Sequence, residues 1–399
     1  MKIAFFTPVF PIQSALSDIG EGLAVGLAAL PDVTVDLIID EGYKPDNPVI
    51  TEEFTIHTHR EFDAQKYDAI IYSMGDASYH AYMLDFIHRY PGVVILNDLT
   101  LHRCILGATL AKGNVQGYLE EMRYAYGIQD LRVANQIHTS LASDLVMTYP
   151  LFERIVDSSL GTIVLNQYAR DRILEKRPQA KVAYIETPFF MPPGFPEFVL
   201  EEERAKQRAE LGVEDCFVVG SFGIFVPDKH LEACLRAFAH VVRKQPKSKY
   251  ILVGPAVQGY DLSGYIHEMG LSDYVILTGW MPPVPFAQAM FALDVGIHLR
   301  YPHIGGTPYT PVRLMGLDVC TIISDIEPLE EFPQGACVKI APDEYQEDTL
   351  TAVLDYLVEH PEFRKQVARN GAQLIRRDYD VACVARQYVA FIQSLLEHG

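Results

Sequence analysis

Residues 292–313 read ALDVGIHLRYPHIGGTPYTPVR, a buried-strand pattern followed by a glycine-containing loop and the start of a helix. A strand that leads through such a loop into a helix is a natural anion site, because free backbone N–H groups converge there. The loop between Leu299 and Arg313 contains neither Asp nor Glu. Any ligand that it holds must therefore be bound without a carboxylate from this loop.

Similar units occur along the whole chain. Short β-branched runs alternate with longer segments of helical period, which is typical of βα units around a parallel sheet. The predicted strands are 2–7, 33–39, 69–73, 92–96, 162–165 and 182–184 in the first half, and 217–222, 249–253, 274–278, 294–298, 320–324 and 337–340 in the second. Between the halves, residues 186–196 hold four prolines and one glycine, which indicates a linker.

This organisation predicts an α/β protein with two doubly wound domains that face each other, 1–187 and 188–378. The final helical segment, 379–399, is long enough to cross back to the first domain. Ligands of open parallel sheets bind beyond the carboxyl ends of the strands. The predicted site is therefore an interdomain cleft.

Composition excludes several classes of protein. The 399 residues are 49% hydrophobic and 21% charged, and the net charge is -19, which disfavours nucleic acid as a partner. Six cysteines without a C-x-x-C pair indicate reduced thiols. No apolar stretch reaches about 18 residues, and Pro8 interrupts the first apolar run. We expect no transmembrane segment, no signal peptide and a cytoplasmic location.

Three strand ends in the second half carry candidate ligand-binding residues. Gly223 permits close approach of a backbone, and Lys229 precedes a predicted helix at a position suited to a phosphate. Gly254 and Trp280 follow the next two strands. A lysine on a helix surface and a tryptophan that covers the sheet edge are the competing explanations.

In the first half, Asp98 and His102 follow the strand 92–96. Their spacing of four would place them on one helical face, where they could orient an acceptor hydroxyl and take its proton. The alternative is a helix-capping Asp beside an unrelated His. The loop after the first strand holds Ala15, which lacks the conformational freedom of glycine.

Six segments carry a resemblance to a known family. They are 75–83, 89–94 and 117–127 in the first half, and 221–229, 299–302 and 323–325 in the second. With these segments in order, the chain resembles a bacterial branch of glycosyltransferase family 4, which has the two-Rossmann-domain GT-B architecture. The resemblance implies retaining transfer of a hexosyl-type sugar from a UDP- or GDP-linked donor, without a cofactor or a required metal. The implied acceptor is a glycan, glycolipid or protein-linked glycan, in polysaccharide or related biosynthesis.

The resemblance also implies roles for individual residues. The implied donor-binding residues are Gly223, Lys229, Gly254, Trp280, Met281, Arg300, Thr307, Thr310, Pro311, Val312 and Arg313. Among them, Lys229 would bind the diphosphate, while Trp280 and Met281 would lie beside the base. Asp98 and His102 would be the catalytic residues near the acceptor.

The chain departs from the family pattern at the donor loop. The family's Glu-x7-Glu element should fall across residues 305–313, where this chain has Gly305 or Gly306 first and Arg313 second. Loss of a carboxylate that binds sugar hydroxyls would cost about 1.5–3 kcal/mol. We expect Arg313 to add positive charge against the diphosphate or the ribose. Asn97 also stands where the branch usually has His.

Two other functions remain open from the sequence. One is a non-catalytic GT-B subunit that binds an acceptor or partner and supports an active glycosyltransferase. The other is a different GT-B enzyme, such as a sugar-nucleotide epimerase or a phosphorylase. The apolar run 189–191 is a candidate contact surface for a homo- or hetero-oligomer.

Overall fold

The computed structural model describes residues 1–128, 132–133 and 143–397. The chain forms two compact units, and the first is assembled from three segments, Met1–Pro188, Pro302–Thr307 and Asp380–Gly399. The second consists of Phe189–Tyr301 and Pro308–Tyr379. The short loop 302–307 thus belongs to the first unit, although it follows a strand of the second. The domain limits expected from the sequence did not include this exchange.

The first unit contains seven strands and nine α-helices in the described residues. The strands are β1 Lys2–Phe6, β2 Thr34–Ile39, β3 Thr55–Thr58, β4 Ala69–Met74, β5 Val93–Leu96, β6 Gly161–Val164 and β7 Val182–Tyr184. The helices are α1 Ala15–Ala28, α2 Pro48–Glu53, α3 Met83–Arg89, α4 His102–Ala108, α5 Val115–Tyr126, α6 Ser143–Thr148, α7 Glu153–Ser158 and α8 Gln167–Lys176. A last helix, α16 Val381–Glu397, also belongs to this unit.

The seven strands form one parallel sheet in the order β3-β2-β1-β4-β5-β6-β7. Both faces are covered, so a strand such as β1 reads as a nearly continuous apolar run. Phe5 packs on one face with Leu23 of α1 and Tyr388 of α16. Phe6 packs on the other face, with its ring 4.7 Å from that of Tyr72. The final helix is therefore part of the core of the first unit.

The second unit contains six strands and seven helices in the described residues. The strands are β8 Phe217–Phe222, β9 Ser248–Val253, β10 Val275–Gly279, β11 Val295–His298, β12 Cys320–Ser324 and β13 Val338–Ile340. The helices are α9 Leu200–Glu210, α10 Leu231–Lys244, α11 Leu262–Glu268, α12 Pro283–Met290, α13 Tyr309–Gly316, α14 Gln346–Glu359 and α15 Pro361–Asp378. The parallel order β10-β9-β8-β11-β12-β13 is that of a doubly wound nucleotide-binding sheet.

The predicted fold class is confirmed. Each of the twelve predicted strands is present, with its ends shifted by one residue at most. The sequence analysis missed β3, a four-residue strand at the edge of the first sheet, none of whose side chains is buried. An exposed edge strand lacks the apolar run by which the other strands were identified.

The apolar run 189–191 is not an exposed surface. Phe189 and Met191 are half-buried and pack against a core cluster of the second unit. The ring of Phe190 stacks on Tyr309 with 5.1 Å between their centroids. The expectation of an exposed apolar rim was wrong, because these side chains bury within their own unit.

The compositional expectations also have structural counterparts. All six cysteines are free thiols, and four of them, Cys104, Cys234, Cys320 and Cys337, are buried. Burial raises the pKa of the Cys337 thiol to about 11, which keeps it protonated at neutral pH. In the part of the chain that the structure describes, no helix combines the length and apolar character needed to cross a membrane.

Candidate functional site

The second sheet reverses its strand order between β8 and β11. Crevices outside the carboxyl ends of strands at such a switch point are the usual ligand sites of doubly wound sheets. Gly223 directly follows β8, and Arg300 lies two residues beyond β11. The structure thus brings these two predicted residues to the same edge of the sheet.

Lys229 lies under this edge and is only 7% exposed. Its Nζ donates a hydrogen bond to the carbonyl oxygen of Phe222, 2.7 Å away. Gly223 has a φ of +95°, and a Cβ there would lie 3.0 Å from the same Nζ. Glycine is therefore needed both for the turn and for the space that the ammonium group occupies.

The charged groups that act on Lys229 and His298 at this edge are positive. Burial and the charge of Arg300 lower the pKa of Lys229 to about 7. Burial, Lys229 and Arg300 lower the pKa of His298, at the end of β11, well below its ordinary value. The Nε atom of Arg300 is buried and has no hydrogen-bond partner among the described residues. An anion would neutralise this cluster of Lys229, His298 and Arg300 and provide acceptors for its donors.

Gly254 supports the turn at Gly223. Its φ is +137°, and a Cβ there would lie 2.2 Å from the carbonyl oxygen of Gly223. Trp280 follows the edge strand β10 and is 43% exposed. Met281, next to it, packs against the core of the unit. Trp280 therefore presents an open aromatic surface, whereas Met281 is partly committed to packing.

Helix α13 begins at Tyr309, and its N-cap residue, Pro308, makes no side-chain cap. The first N–H groups of a helix have no acceptor within the helix, and Pro311 in this turn removes none that the helix would use. Thr310 is half-buried, while Pro311 and Val312 are buried. The first turn thus supplies backbone donors more than side chains.

Arg313 is almost completely buried, with 1% exposure. Its guanidinium lies 4.5 Å from the centroid of Tyr309 and 5.8 Å from that of Phe190. The guanidinium of Arg313 therefore makes cation–π contacts with these two aromatic rings. The expectation that it adds charge against a diphosphate finds no support in these contacts.

In the first unit, the loop 302–307 packs tightly on the segment after β5. A Cβ at Gly305 would lie 2.5 Å from the Cβ of Leu99. A Cβ at Gly306 would lie 2.2 Å from the carbonyl oxygen of Asn97 and 2.8 Å from Oδ1 of Asp98. No residue with a side chain fits at either glycine in this arrangement.

Thr307 forms hydrogen bonds within the same unit. Its hydroxyl donates to the carbonyl oxygen of Leu165 at 2.9 Å and accepts from Nδ2 of Asn166 at 3.0 Å. Nδ2 of Asn166 also donates to the carbonyl oxygen of Gly305. Thr307 thus belongs to the first unit, whereas the other predicted donor-binding residues belong to the second.

Asp98 is half-buried and lies in the loop between β5 and α4. Its Oδ2 accepts a hydrogen bond from the backbone N–H of Asp76, at 3.0 Å. The Asp76 carboxylate accepts from the N–H of Arg103 at 2.6 Å and pairs with the Arg103 guanidinium at 3.0 Å. Burial, together with Asp98, raises the pKa of Asp76 to about 7 in spite of Arg103. Asp76 thereby fixes the start of α4 and one oxygen of Asp98.

His102 does not share a helical face with Asp98, because α4 starts only at His102. The His102 ring is fully buried. Nδ1 donates to the carbonyl oxygen of Tyr149 at 2.5 Å, and Nε2 lies 3.1 Å from the hydroxyl of Tyr118. Burial lowers the pKa of His102 to about 4. Both ring nitrogens of His102 therefore contact protein groups. The residue at the N-cap of α4 is Leu101, so Asp98 is not the capping residue of the alternative explanation.

Two residues of these clusters had no assigned role in the sequence analysis. Asp76 is a carboxylate that comes two residues after the end of β4, and His298 is a polar residue at the end of a buried strand. Both signals are visible in the sequence. Neither is specific without the neighbouring strands, because a polar residue at a strand end is common.

Two solved structures have the same fold as this chain. HepE of Anabaena, solved in complex with UDP, superimposes with a TM-score of 0.65 over 99% of this chain and 100% of that chain, at 18% identity. Sucrose-phosphate synthase of Thermosynechococcus elongatus superimposes with a TM-score of 0.67 over 100% of both chains, at 14% identity. Both likenesses show the fold, which is GT-B with two Rossmann-like domains.

Sequence comparison relates the chain to glycosyltransferases. Residues 203–374 match the family model described as Glycosyl transferases group 1. An alpha-D-kanosaminyltransferase of Streptomyces kanamyceticus is 22% identical over 65% of this chain and 70% of its own length. A 2-deoxystreptamine glucosyltransferase of the same organism is 27% identical over 32% of this chain and 35% of its own length. These comparisons relate residues 203–374 to group 1 glycosyltransferases and do not favour a non-catalytic subunit.

Proposed function

We propose that this protein is a retaining, metal-independent glycosyltransferase of family 4 that uses a nucleotide-diphosphate-sugar donor. The acceptor would be a glycan, a glycolipid or a protein-linked glycan. The observation that carries the proposal is the cluster of Lys229 and Arg300 at the switch point of the second sheet. Their charges match a diphosphate, and the N-terminal turn of α13 supplies backbone donors nearby in the sequence.

The remaining parts of a nucleotide fit the same sheet edge. β10 lies two strands away from β8, which corresponds to about 10 Å. A base that rests on the exposed ring of Trp280 would therefore be about a nucleoside's length from the diphosphate. HepE was also solved in complex with UDP-glucose, which is a donor of this kind.

On the acceptor side, Asp98 is the residue with a suitable position. One of its oxygens is held by the backbone of Asp76, and its side chain is only half-buried. A half-buried carboxylate that is held in place at one oxygen can orient a hydroxyl and accept its proton. We assign this role to Asp98 and exclude His102 from it.

A thermal-shift panel tests the proposal directly. The wild-type protein is titrated with UDP, GDP, ADP, CDP and dTDP, and the melting temperature is recorded at each concentration. A ligand that binds only the folded state at 100 times its Kd stabilises by about 2.7 kcal/mol. We expect one or two nucleotides to raise the melting temperature at micromolar concentration. A folded protein that no nucleotide stabilises would contradict the donor site.

Asp98→Asn is expected to lower the rate of sugar transfer by about 100-fold or more, because general-base assistance typically contributes a factor of 10² to 10⁴. Release of the nucleotide from its sugar donor is the measurement, with the nucleotide chosen from the panel. The affinity for that nucleotide should stay within twofold. Asp85→Asn, at an exposed position of α3 in the same unit, is the matched control. Equal rates for the two variants would refute the role of Asp98.

Nucleotide binding is expected to take up a proton. The pKa of Lys229 is about 7 without a ligand, and a bound diphosphate would raise it toward its ordinary value of about 10.4. At pH 8 Lys229 is mostly unprotonated without a ligand, so binding should take up as much as about one proton and should weaken as the pH rises further. Calorimetry in buffers of different ionisation enthalpy measures this uptake. Lys229→Arg, whose charge does not titrate, should abolish it.

A further inference from the structure

We propose that His298 is a third phosphate-binding side chain, whose Nε2 contacts the diphosphate of the donor beside Lys229 and Arg300. The inference rests on the proposed function and adds a residue to the binding site that the sequence did not assign. His298 ends β11, and its exposure is 5%. The His298 side chain is therefore buried at the same edge of the sheet as Lys229 and Arg300.

Strand register gives the direction of the imidazole. Side chains alternate along β11, and Ile297 packs in the core cluster that contains α10 and α14. Gly296 faces the opposite side, because a Cβ there would lie 2.6 Å from Cδ1 of Leu314 in α13. His298, two residues later, shares the side of Gly296. The imidazole therefore projects from the face of the sheet that α13 covers.

The same register shows which residue of α13 lies level with His298. Two residues of a strand advance by about 6.6 Å, and four residues of a helix by about 6 Å. A crossover helix runs back along its sheet, so the residue level with His298 is four before Leu314, which is Thr310. This register puts His298 level with the first turn of α13, whose first N–H groups have no acceptor within the helix.

The Nε2 atom of His298 is buried and has no hydrogen-bond partner among the described residues. Two other histidines near the two sites differ. His102 bonds through both ring nitrogens, and His230 bonds to Oε1 of Gln346 and to the carbonyl oxygen of Tyr301. A histidine that only fills space would be expected to have such partners, because unpaired buried polar atoms are rare.

The surroundings of His298 select an anion as the missing partner. The charged groups that act on its imidazole are Lys229 and Arg300, and both are cations that disfavour its protonated form. A neutral imidazole can donate one hydrogen bond from Nε2. A phosphate oxygen would accept that bond and would offset both neighbouring charges. A sugar hydroxyl would satisfy the nitrogen but leave the charges unbalanced.

The test uses the 399-residue protein and its variant His298→Phe, which keeps an aromatic ring and removes both nitrogens. Inorganic pyrophosphate and the nucleotide diphosphate selected by the panel are the probes, and calorimetry gives their affinities. We expect the variant to bind both about tenfold more weakly, which corresponds to about 1.4 kcal/mol. His298→Gln should recover part of the loss, because its amide can donate a hydrogen bond. Ile297→Val, on the other face of the same strand, is the control and should bind normally.

Binding of the corresponding nucleoside, followed by saturation-transfer NMR, separates a phosphate contact from a packing defect. We expect His298→Phe to leave nucleoside binding unchanged within twofold. An equal loss for nucleoside and diphosphate would overturn the inference, and so would normal pyrophosphate binding by the variant. If the wild-type protein binds no nucleotide diphosphate, both this inference and the proposed function fail. Normal wild-type binding with an unaffected variant removes His298 alone.

A second measurement does not depend on the folding of a variant. In wild-type protein labelled with ¹⁵N in histidine, addition of pyrophosphate should shift the imidazole Nε2 resonance of His298. The resonance of His267, exposed on α11, should not move and serves as the internal reference. A His298 resonance that stays unchanged at saturating pyrophosphate would overturn the inference.

Discussion

Lys229→Ala is expected to lower nucleotide affinity by about 100-fold or more. The ammonium group is fixed beside Gly223 by its bond to the Phe222 carbonyl and needs no rearrangement to meet a phosphate. Charge-assisted hydrogen bonds contribute about 1.5–3 kcal/mol each, and Lys229 has two donors left for a ligand after this bond. Calorimetric titration of both proteins with the selected nucleotide gives the ratio.

The fold of the Lys229 variant should remain intact. Removal of a buried ammonium that has a single protein hydrogen bond lifts a desolvation cost, so the melting temperature without ligand should not fall strongly. Lys247→Ala, at an exposed position before β9, is the control and should bind as the wild type does. If Lys229→Ala binds nucleotide with wild-type affinity, the phosphate site has been assigned to the wrong residues.

Gly306→Ala is expected to destabilise the first unit by about 1–3 kcal/mol, the usual cost of overpacking. The added Cβ would overlap the backbone oxygen of Asn97, which cannot rotate away as a side chain would. Gly306→Glu should destabilise at least as much. The carboxylate that the family pattern places here would therefore not raise activity if it were reintroduced.

Urea denaturation of both glycine variants, beside wild type, measures this loss. The urea concentration at the midpoint should fall. The slope of the unfolding free energy against urea concentration should stay the same, since the surface exposed on unfolding hardly changes. An unchanged midpoint for Gly306→Ala would mean that the loop 302–307 is free to move from Asn97. In that case the absence of the carboxylate would have no steric reason.

The fold could be predicted because its causes are local. β-branched runs and their spacing predicted twelve strands, and the glycines after β8 and β9 marked the turns beyond them. Gly223 and Gly254 both have positive φ, which explains why glycine stands there. The strand β3 escaped because its side chains are partly exposed and alternate without an apolar face.

The candidate site could be predicted only in part. The spacing of Gly223 and Lys229 reflects one βα unit, so its geometry was accessible from sequence. The burial of His102 by Tyr118 and Tyr149 depends on α5 and on the segment before α7, which no spacing rule connects. Arg313 likewise looked available because its aromatic neighbours, Tyr309 and Phe190, are not both close in sequence.

The helix α16 gives the first unit an unusual order of completion during synthesis. Val384 and Tyr388 close the same core cluster as Leu23 and Leu27 of α1, yet residues 189–379 are made in between. At about 5–20 residues per second, the ribosome needs roughly 10 to 40 seconds for that stretch. The unit that emerges first therefore waits, with an apolar face open, until the second has been translated. A fragment that ends at Pro188 would keep that face exposed and should aggregate.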